Sequence, residues 1–380
     1  RFDCIHFYGK HAMEREFQRT SLSHGRFCIG SSRGTSSHHH NPFVILARPE
    51  TTEVSGDCYG MGLVYSGSFE ITAEVDQVNQ TRVVAGVNGE QFFYVLSSGE
   101  SVTLPEVVLT YSSHGFEEMT HHYHDAIRNH LLRGEYVHKH RPILINNWEA
   151  TYFDFTGEKI FDIAKKASSL GIEMLVLDDG WFGQRDDDCG GLGDWYVNEK
   201  KLGCTLKDLV DKINGLGMKF GIWFEPEMIN EKSNLYQLHP DWMVRVPGRK
   251  GTKAREQYVL DYTRKDVVDG IEKMMRSIID SANIEYIKWD MNRSLAAVYS
   301  AQLSPEHMGE FHYRYVLGLY SLLERLTQRY PHILFEGCSG GGGRYDLGMM
   351  YFHPQIWCSD DTDAIERLKI QYGSSFLYPI

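Results

Sequence analysis

The feature of this sequence that most constrains its fold is a pattern repeated from residue 142 onward, in which a short apolar run ends in acidic or amide residues. Longer segments with apolar residues at helical intervals separate these runs, for instance 207–216, 267–282 and 308–329. Near-continuous apolar strands that alternate with helices indicate a parallel sheet covered by helices. The runs are 143–145 before Asn146, 174–177 before Asp178, 220–224 before Glu225, 284–289 before Asp290, 333–335 before Glu336, and 356–357 before Cys358, Ser359 and Asp360.

The polar residues that follow these runs favour a barrel over an open sheet. In a (β/α) barrel the carboxyl ends of the strands form the active-site face, so functional residues gather there. An open, doubly wound sheet normally carries a glycine-rich phosphate loop after its first strand, whereas the first run here leads into Asn146-Asn147-Trp148. We therefore predict a (β/α)8 TIM-type barrel for residues 141–380.

Residues 1–115 show a different pattern, with short apolar or alternating runs separated by turn residues. This spacing predicts a sandwich of antiparallel strands. Residues 116–132 carry apolar groups at helical intervals and few Gly or Pro residues, which predicts a helix. The expected division is a β-sandwich over 1–115, a linker helix over 116–140 and the barrel over 141–380. The predicted strands of the sandwich are 43–46, 62–65, 69–75, 81–87, 92–96 and 106–111.

Charge and cysteine content narrow the classes of function. The formal net charge is −12, without a cluster of Lys and Arg, which argues against a nucleic-acid partner. Apolar stretches are too short for a membrane helix, so no membrane partner is expected. The 7 cysteines are scattered and form no CxxC pattern, which favours a reducing compartment, and we expect a cytoplasmic protein. Because the chain begins with Arg1 rather than Met, we expect a fragment, and the sequence does not test for a signal peptide.

Asp290 is the first candidate for catalysis. It follows Lys288 by two residues on a predicted strand, so both side chains point to the same face, here the barrel interior. A nearby Lys lowers the pKa of a carboxyl group and keeps it ionised, as a carboxylate nucleophile requires. The alternative is a structural Asp–Lys pair at the end of a strand.

The other acidic candidates remain ambiguous from the residues alone. Asp360 stands in a cluster with Asp361 and Asp363, and like charges that are close together raise the pKa of one member, as a general acid requires. Any of the three could be the acid, with the others as helix caps. Asp178 and Asp179 suit hydrogen bonds to neighbouring sugar hydroxyls, although a helix cap or a metal ligand is the alternative. The rival catalytic carboxylates are Glu225 and Glu227.

Aromatic, glycine-rich and histidine-rich segments add little specific chemistry. Four tryptophans lie at or next to strand ends, where they could wall a sugar pocket. The glycines at 340–343 lack the Lys-Ser/Thr sequel of a phosphate loop. Histidines at 38–40 and on the linker helix have neither the HExxH pattern nor zinc spacing, and 186–188 lacks the alternation of an EF-hand, so no metal site is predicted. The four tryptophans are Trp148, Trp181, Trp223 and Trp357.

Several blocks, taken in order, resemble the family-36 glycoside hydrolases, mostly α-galactosidases, and in particular their bacterial long-chain type. Together they cover the chain from about residue 143 onward, and the preceding part looks like the N-terminal β-sandwich of that family, including His40-Asn41-Pro42-Phe43. The blocks begin with Asn146-Asn147-Trp148-Glu149-Ala150, Leu177-Asp178-Asp179-Gly180-Trp181-Phe182 and Gly221-Ile222-Trp223-Phe224-Glu225-Pro226-Glu227-Met228. They continue with Tyr286-Ile287-Lys288-Trp289-Asp290-Met291-Asn292-Arg293, Glu336-Gly337-Cys338-Ser339 with the glycines to Arg344, and Ile356-Trp357-Cys358-Ser359-Asp360-Asp361-Thr362-Asp363-Ala364.

The resemblance implies a function and a set of site residues. It implies a retaining α-galactosidase in which Asp290 is the nucleophile and Asp360 the acid/base, with structural roles for Glu225 and Glu227. It further implies α-galactoside oligosaccharides such as melibiose or raffinose as partners, no cofactor and no metal, and a homo-oligomer of the full-length parent. The substrate-binding residues that it implies are Trp148, Asp178, Asp179, Trp223, Arg255, Lys288, Cys338 and Gly340.

The resemblance also changes the strand count. Residues 255–261 look like a barrel strand, but the resemblance implies an excursion that reaches the site, so that Asp290 follows the fourth strand and Asp360 the sixth. We therefore expect about six of eight barrel units, with two strands and a C-terminal β domain missing. Whether such a chain is active by itself is open. The alternative functions are a galactosyl-transferring relative of the raffinose-synthase kind and a carbohydrate-binding fragment without catalysis.

Overall fold

The first part of the chain forms two antiparallel sheets in the computed structural model, which describes residues 1–379. One sheet has five strands in the order β2-β1-β4-β5-β8, and the other has three in the order β3-β6-β7. The predicted β-sandwich is confirmed. The strands are β1 (Asp3–Lys10), β2 (Met13–Ser21), β3 (Gly25–Ser31), β4 (His40–Ala47), β5 (Cys58–Val64), β6 (Phe69–Val75), β7 (Thr81–Val87) and β8 (Glu106–Ser112).

The predicted strand at 92–96 is wrong, because this segment docks on the second part of the chain instead of pairing with a strand. The rings of Phe92 and Tyr94 lie edge-on to Tyr313, at centroid distances of 6.1 Å and 5.9 Å. The backbone N–H of Val95 donates to the carboxylate of Glu310 at 2.9 Å. The apolar residues that suggest a strand thus cover a helix of the other part. The other five predicted strands match β4 to β8, whereas β1, β2 and β3 were not individually predicted.

A helix follows the sandwich, as predicted. It consists of α1 (Phe116–Ala126) and a π-helical turn at Ile127–Leu131. Phe116, Met119 and Tyr123 are buried on one face of α1 and share an apolar cluster with residues of the five-stranded sheet. The helix therefore packs on the sandwich. The division at residues 115 and 140 stays a prediction.

The second part of the chain is a parallel sheet of six strands covered by helices. The spatial order of its strands follows the chain, as in a (β/α) barrel, and every neighbouring pair is parallel. All six predicted strands are found, and the structure is a partial β/α barrel. The strands are β9 (Leu144–Asn146), β10 (Met174–Leu177), β11 (Lys219–Phe224), β14 (Tyr286–Trp289), β15 (Leu334–Gly337) and β16 (Gln355–Ile356), and between β11 and β14 lie β12 (Met228–Ile229) and β13 (Tyr258–Val259).

Strands β12 and β13 confirm the expected excursion. They pair with each other in antiparallel orientation and not with the parallel sheet. The segment 255–261 is therefore not a barrel strand. Because the excursion leaves the sheet after β11 and returns before β14, it can carry Arg255 over the carboxyl ends of the strands.

Amphipathic helices bury the faces of the parallel sheet. In α7, six apolar residues at helical spacing are buried: Val267, Val268, Ile271, Met275, Ile278 and Ile279. Each apolar face turned toward the sheet removes hydrocarbon from water and holds the helix in place. None of the helices that the structure describes within residues 1–379 is long and apolar enough to cross a bilayer. After α1 the helices are α2 (Trp148–Thr151), α3 (Gly157–Ser169), α4 (Glu199–Leu202), α5 (Leu206–Asn214), α6 (Asn234–Leu238), α7 (Lys265–Ile279), α8 (Phe311–Arg329), α9 (Leu347–Met350) and α10 (Ala364–Ser375).

Trp181 belongs to this core and does not wall a pocket, so that part of the tryptophan prediction is wrong. Its side chain is fully buried, and its ring meets Trp195 and Phe224. The indole N–H donates to the backbone carbonyl of Trp223 at 2.9 Å, so the polar atom is satisfied inside the protein. Trp181 lies four residues after the end of β10, and its side chain is part of the apolar core.

Polar contacts fix the sandwich against the parallel sheet. Asp346, which caps α9, is buried and accepts hydrogen bonds at 2.6 Å from both Ser36 and Ser66 of the first part. Burial raises the pKa of Asp346 to about 6. Asn41, also in the first part, donates to the carbonyl oxygen of Tyr345 at 2.7 Å.

Candidate active site

Asp290 lies directly after β14, and its buried carboxylate is held by four hydrogen-bond donors. Oδ1 accepts from the backbone N–H groups of Met291 at 2.8 Å and Gly340 at 3.2 Å. Oδ2 accepts from the side chains of Asn292 at 2.9 Å and Trp223 at 3.2 Å. Donors that surround a carboxylate on both oxygens stabilise its charged form.

Nearby charges and hydrogen bonds also set the pKa of Asp290. Burial by itself would raise the pKa of Asp290, but the Lys288 ammonium and the hydrogen bonds from Asn292, Gly340 and Trp223 outweigh burial and lower it. The carboxylate is therefore ionised at neutral pH. A buried, ionised carboxylate at the carboxyl end of a barrel strand is suited to attack an electrophilic carbon.

Lys288 does not contact Asp290 directly but forms an ion pair with Asp178. Its ammonium donates to Asp178 Oδ2 at 3.0 Å. Burial by itself would lower the pKa of Lys288, but the negative charges of Asp178 and Asp290 raise it well above its usual value, so the ammonium stays charged. The side chain of Asn146, at the end of β9, also donates to Asp178 Oδ2. Three strand ends thus meet at this carboxylate.

Asp179, in the turn just after β10, has a different side-chain partner from Asp178. Its Oδ1 accepts from Nε of Arg185 at 3.0 Å, and its Oδ2 accepts from NH2 at 2.8 Å. Both side chains are almost fully buried. Burial raises the pKa of Asp179, although the Arg185 charge opposes that effect.

The rival carboxylates Glu225 and Glu227 are enclosed in the protein. Glu225 accepts from the backbone N–H of Asn292 at 2.6 Å, and burial followed by the nearby charge of Asp290 raises its pKa to about 8. This shift favours the neutral form of Glu225, whereas the lowered pKa of Asp290 favours its charged form. Glu227 is fully buried and forms a bidentate ion pair with Arg344, at 2.7 Å and 3.0 Å.

Asp360 follows β16 and is exposed, unlike the buried Asp290. Its side chain is 40% exposed, and its Oδ1 accepts from the indole N–H of Trp357 at 3.1 Å. Asp363 caps α10 through the N–H groups of Ile365 and Glu366, and Asp361 accepts from the backbone N–H of Asp363. Two members of the acidic cluster are thus engaged in local backbone structure, and Asp360 is not.

Arg255 reaches the site through Asn292. Its guanidinium donates to Asn292 Oδ1 at 2.8 Å, while the amide nitrogen of Asn292 donates to Asp290. Arg255 has a positive φ of 49°, a conformation that is unfavourable for a side chain with a Cβ. Strain of this kind concentrates at functional sites.

The remaining candidates line the same face. Cys338 is buried, and burial together with the charge of Asp290 raises the pKa of its thiol well above the usual value, so the thiol is neutral. Gly340 has a φ of 51° and donates its N–H to Asp290. Trp148 is half-buried, and its ring packs edge-on against Tyr152 and Phe153.

The candidate residues therefore fall into groups. Asp290, Trp223 and Gly340 are in direct contact, Lys288 contacts Asp178, and Arg255 joins the first group through Asn292. Neither Trp148 nor Asp360 hydrogen-bonds to another of the ten candidate residues within the described part of the chain, whereas Asp179 donates its backbone N–H to Asp178 Oδ1 at 2.9 Å. Within residues 1–379, no three His, Cys, Asp or Glu side chains are grouped to hold a metal ion.

Among the side chains that contact the candidates, the sequence did not identify Asn146, Arg185, Asn292 or His11 as site residues. Asn146 is the last residue of β9 and Asn292 follows β14, and both lie in sequence blocks that resemble the family. Their position at strand ends could therefore have identified them. Arg185 lies six residues after Asp179, but no periodicity joins the two. His11 lies 349 residues from Asp360, which its ring contacts at 2.9 Å, and no local pattern could indicate that pair.

Two family models match the chain. The model described as Glycosyl hydrolase family 36 N-terminal domain matches residues 1–97. The model described as Melibiase matches residues 101–380, which is more than half of the chain.

Curated relatives align with the whole chain. The bifunctional α-galactosidase/sucrose kinase AgaSK of Mediterraneibacter gnavus is 57% identical over 379 residues, which are 100% of this chain and 40% of that protein. Alpha-galactosidase 1 of Pediococcus pentosaceus is 51% identical over 380 residues, or 100% of this chain and 52% of that protein. The chain thus spans about half the length, or less, of these relatives.

Solved structures agree with this assignment. The α-galactosidase AgaA of Geobacillus stearothermophilus, in complex with raffinose, superposes with a TM-score of 0.99 at 50% identity, covering 100% of this chain and 53% of that one. The galactosidase domain of AgaSK superposes with a TM-score of 0.96 at 57% identity, covering 100% and 52%. With a family model over most of its length and close structural relatives, the chain belongs to the α-galactosidases of glycosyl hydrolase family 36.

Proposed function

We propose that the protein containing this chain is a retaining α-galactosidase, which removes terminal α-linked galactose from oligosaccharides by two successive displacements. The observation that carries the proposal is the state of Asp290, a buried carboxylate whose pKa is lowered and whose two oxygens are held by four donors at the carboxyl end of β14. An activated carboxylate nucleophile needs this combination of ionisation and fixed direction.

In the first step, Asp290 attacks the anomeric carbon of the galactoside while the bond to the leaving oxygen breaks. Asp360 gives its proton to that oxygen, and a galactosyl ester of Asp290 results. In the second step, the Asp360 carboxylate takes a proton from a water molecule, whose oxygen attacks the same carbon and releases galactose. Two inversions leave the configuration unchanged, and the carboxyl groups should stand about 5–5.5 Å apart in the complex.

The assignment of Asp360 is supported by the roles of its neighbours. Asp363 is a helix cap and Asp361 holds a turn, which leaves Asp360 as the cluster member whose carboxylate faces solvent at a strand end. An acid/base must reach both the leaving oxygen and water, and an exposed side chain satisfies that need.

We assign galactose recognition to the groups around Asp290. The charged pair of Lys288 and Asp178 offers a donor and acceptors for sugar hydroxyls, and Arg255 offers further donors. Relatives whose structures contain raffinose or stachyose suggest substrates of that class. A homo-oligomer of the full-length protein in the cytoplasm completes the proposal. The residues assigned to recognition are Trp148, Asp178, Asp179, Trp223, Arg255, Lys288, Cys338 and Gly340.

The test uses the full-length protein with p-nitrophenyl α-galactoside and raffinose. Asp290→Ala should lower kcat by several orders of magnitude on both substrates, because the nucleophile is lost. Asp361→Ala, which removes a neighbouring turn carboxylate, is the matched control and should retain activity. An active Asp290→Ala protein would refute the assignment.

Product analysis separates the alternatives. Proton NMR during hydrolysis should show α-galactose before β-galactose, since the configuration is retained. Initial formation of the β-anomer would exclude a retaining mechanism. Transfer of galactose to an added sugar in preference to water would identify the galactosyl-transferring alternative, and sugar binding without turnover would identify the binding-only alternative.

A further inference from the structure

The turn between β1 and β2 of the sandwich reaches across to the face where the parallel strands end. This turn comprises the end of β1, residues 11–12 and the start of β2, together residues 9–15, and Ala12 and Arg15 within it have positive φ values of 64° and 58°. Both are L residues with a Cβ, so the turn is held in a conformation that costs free energy by itself. Contacts with the second part of the chain compensate for that cost.

Glu14 and Arg15 anchor the turn. Arg15 is 3% exposed and donates to the carbonyl of Gly342 at 3.2 Å, to the hydroxyl of Ser374 at 2.6 Å, and to the carbonyl of Cys358. Its guanidinium also lies 4.5 Å from the ring centroid of Tyr345. Glu14 is fully buried and accepts from the backbone N–H of Gly342 at 3.2 Å. Two buried charged side chains thus fix the turn against the loops that follow β15 and β16.

This anchored turn presents His11 to Asp360. Nε2 of His11 lies 2.9 Å from Asp360 Oδ2, while Trp357 donates to Oδ1, so each oxygen of the carboxylate has one partner. The ring of His11 stands edge-on to His38 at a centroid distance of 5.6 Å, and His38 in turn contacts the carbonyl oxygen of Gly340 at 2.6 Å. The sandwich therefore touches the candidate site at two points.

We propose that His11 is a positioning residue that aims the carboxyl group of Asp360, an inference that rests on the acid/base role proposed above for Asp360. In the ionised state of Asp360, His11 donates its Nε2 proton to Oδ2. That contact fixes rotation of the carboxyl group about its bond to Cβ and stabilises the carboxylate left after the leaving oxygen has been protonated. The sandwich part of the chain thus contributes a side chain to the catalytic face.

The expected signature is a dependence on the leaving group. Raffinose has a poor leaving group and needs a proton from Asp360, whereas 2,4-dinitrophenolate leaves from its α-galactoside without one. In the full-length protein, His11→Ala should lower kcat/KM for raffinose by roughly three- to tenfold, the effect of losing one hydrogen bond to a charged group at a partly exposed site. For the dinitrophenyl substrate it should change kcat/KM by less than about twofold.

Two further variants make the result specific. His11→Gln keeps an N–H donor at a similar reach and should restore kcat/KM for raffinose to near that of the unsubstituted protein. His24→Ala removes another exposed histidine of the sandwich, which contacts Asn79 rather than the site, and should change neither substrate. Because the side chain of His11 is 60% exposed, His11→Ala should leave the thermal midpoint of unfolding unchanged.

The positioning role of His11 is overturned if His11→Ala lowers kcat/KM equally for both substrates, or if it does not lower kcat/KM for raffinose. Asp360→Ala decides the underlying assignment separately. If Asp360 is the acid/base, that variant loses far more activity on raffinose than on the dinitrophenyl substrate, and added azide accelerates the release of the galactosyl group. If Asp360→Ala shows no such dependence, the acid/base assignment fails whatever the His11 variants do, and the inference fails with it.

Discussion

Replacing Arg344 by methionine should destabilise the barrel part strongly, because it leaves the buried carboxylate of Glu227 without its charged partner. Glu227 accepts four hydrogen bonds, two of them from Arg344 at 2.7 Å and 3.0 Å, and the others from Trp289 at 3.0 Å and Tyr315 at 2.8 Å. Methionine keeps most of the aliphatic volume, so the change tests charge rather than packing.

The size of the effect follows from the burial of the pair. The side chain of Glu227 is 0% exposed and that of Arg344 is 3% exposed, so water cannot replace the guanidinium. Removing one partner of a buried ion pair costs about 3–5 kcal/mol, most of it from the charge left unpaired. In the double variant with Glu227→Gln neither charge remains, and a glutamine oxygen can still accept from Trp289 or Tyr315. We therefore expect the double variant to be more stable than Arg344→Met alone.

Urea unfolding followed by tryptophan fluorescence measures this effect. All 7 tryptophans lie at or after Trp148, so the signal reports the second part of the chain rather than the sandwich. The urea midpoints of the variants are compared only where their transitions have the same slope, because a protein with two structural units need not unfold in one step.

The control is Arg325→Met on the surface of α8. Its guanidinium pairs with Asp269 and Glu272 but is 34% exposed, so its loss should cost less than about 1 kcal/mol. The reasoning is refuted if Arg344→Met lies within about 1 kcal/mol of the unsubstituted protein, or if the double variant loses the sum of the two single effects.

Three other predictions concern the site and its support. Asn292→Ala removes a donor that lowers the pKa of Asp290, so the acidic limb of the pH–activity profile should move to higher pH, and an unmoved limb would contradict the electrostatic account. Gly341→Ala should lower kcat by more than about tenfold, since its Cβ would lie 2.8 Å from the backbone nitrogen of Asp360 and would displace it. Gly248→Ala has a similar φ but no neighbour within 4 Å, so it should retain activity. Equal effects of the two changes on kcat would show that backbone strain, rather than displacement of Asp360, matters. Asp346 has a folded pKa raised to about 6, above its unfolded value, so it favours folding at low pH and this contribution is lost as pH rises through 6. Asp346→Asn should therefore remove a fall in thermal midpoint between about pH 4 and pH 6, and a fall over that range that persists in the variant would refute the assignment to this residue.

The sequence predicts the parallel sheet well because each strand is buried on both faces and reads as an apolar run that ends in polar residues. The same rule places Asp290 at the end of a strand. Asp290 and Lys288 are predicted to point to the same face because they are two residues apart, and that prediction needs only local spacing. The prediction fails where distant parts of the chain meet. The apolar residues Phe92 and Tyr94 of the segment 92–96 cover α8 and do not form a strand. Trp181, just after β10, packs in the core and not in a pocket.

Electrostatic partners show the same limit. Lys288 lies two residues before Asp290, yet its direct partner is Asp178, 110 residues earlier. The raised pKa of Glu225 depends on the burial of this side chain and on the nearby charge of Asp290, neither of which spacing along the chain can supply.

The anchored turn between β1 and β2 sets an order of events during synthesis. The ribosome makes Ser374, a partner of Arg15, 359 residues after Arg15 itself. At about 5–20 residues per second, the ribosome needs roughly 20 to 70 s to cover that distance. Throughout this interval the strained turn lacks the contacts that compensate for it, and Glu14 and Arg15 remain in water. The sandwich strands can pair during that time, whereas the contact between His11 and Asp360 can form only after β16 has emerged and docked, so the sandwich forms before the candidate site is complete.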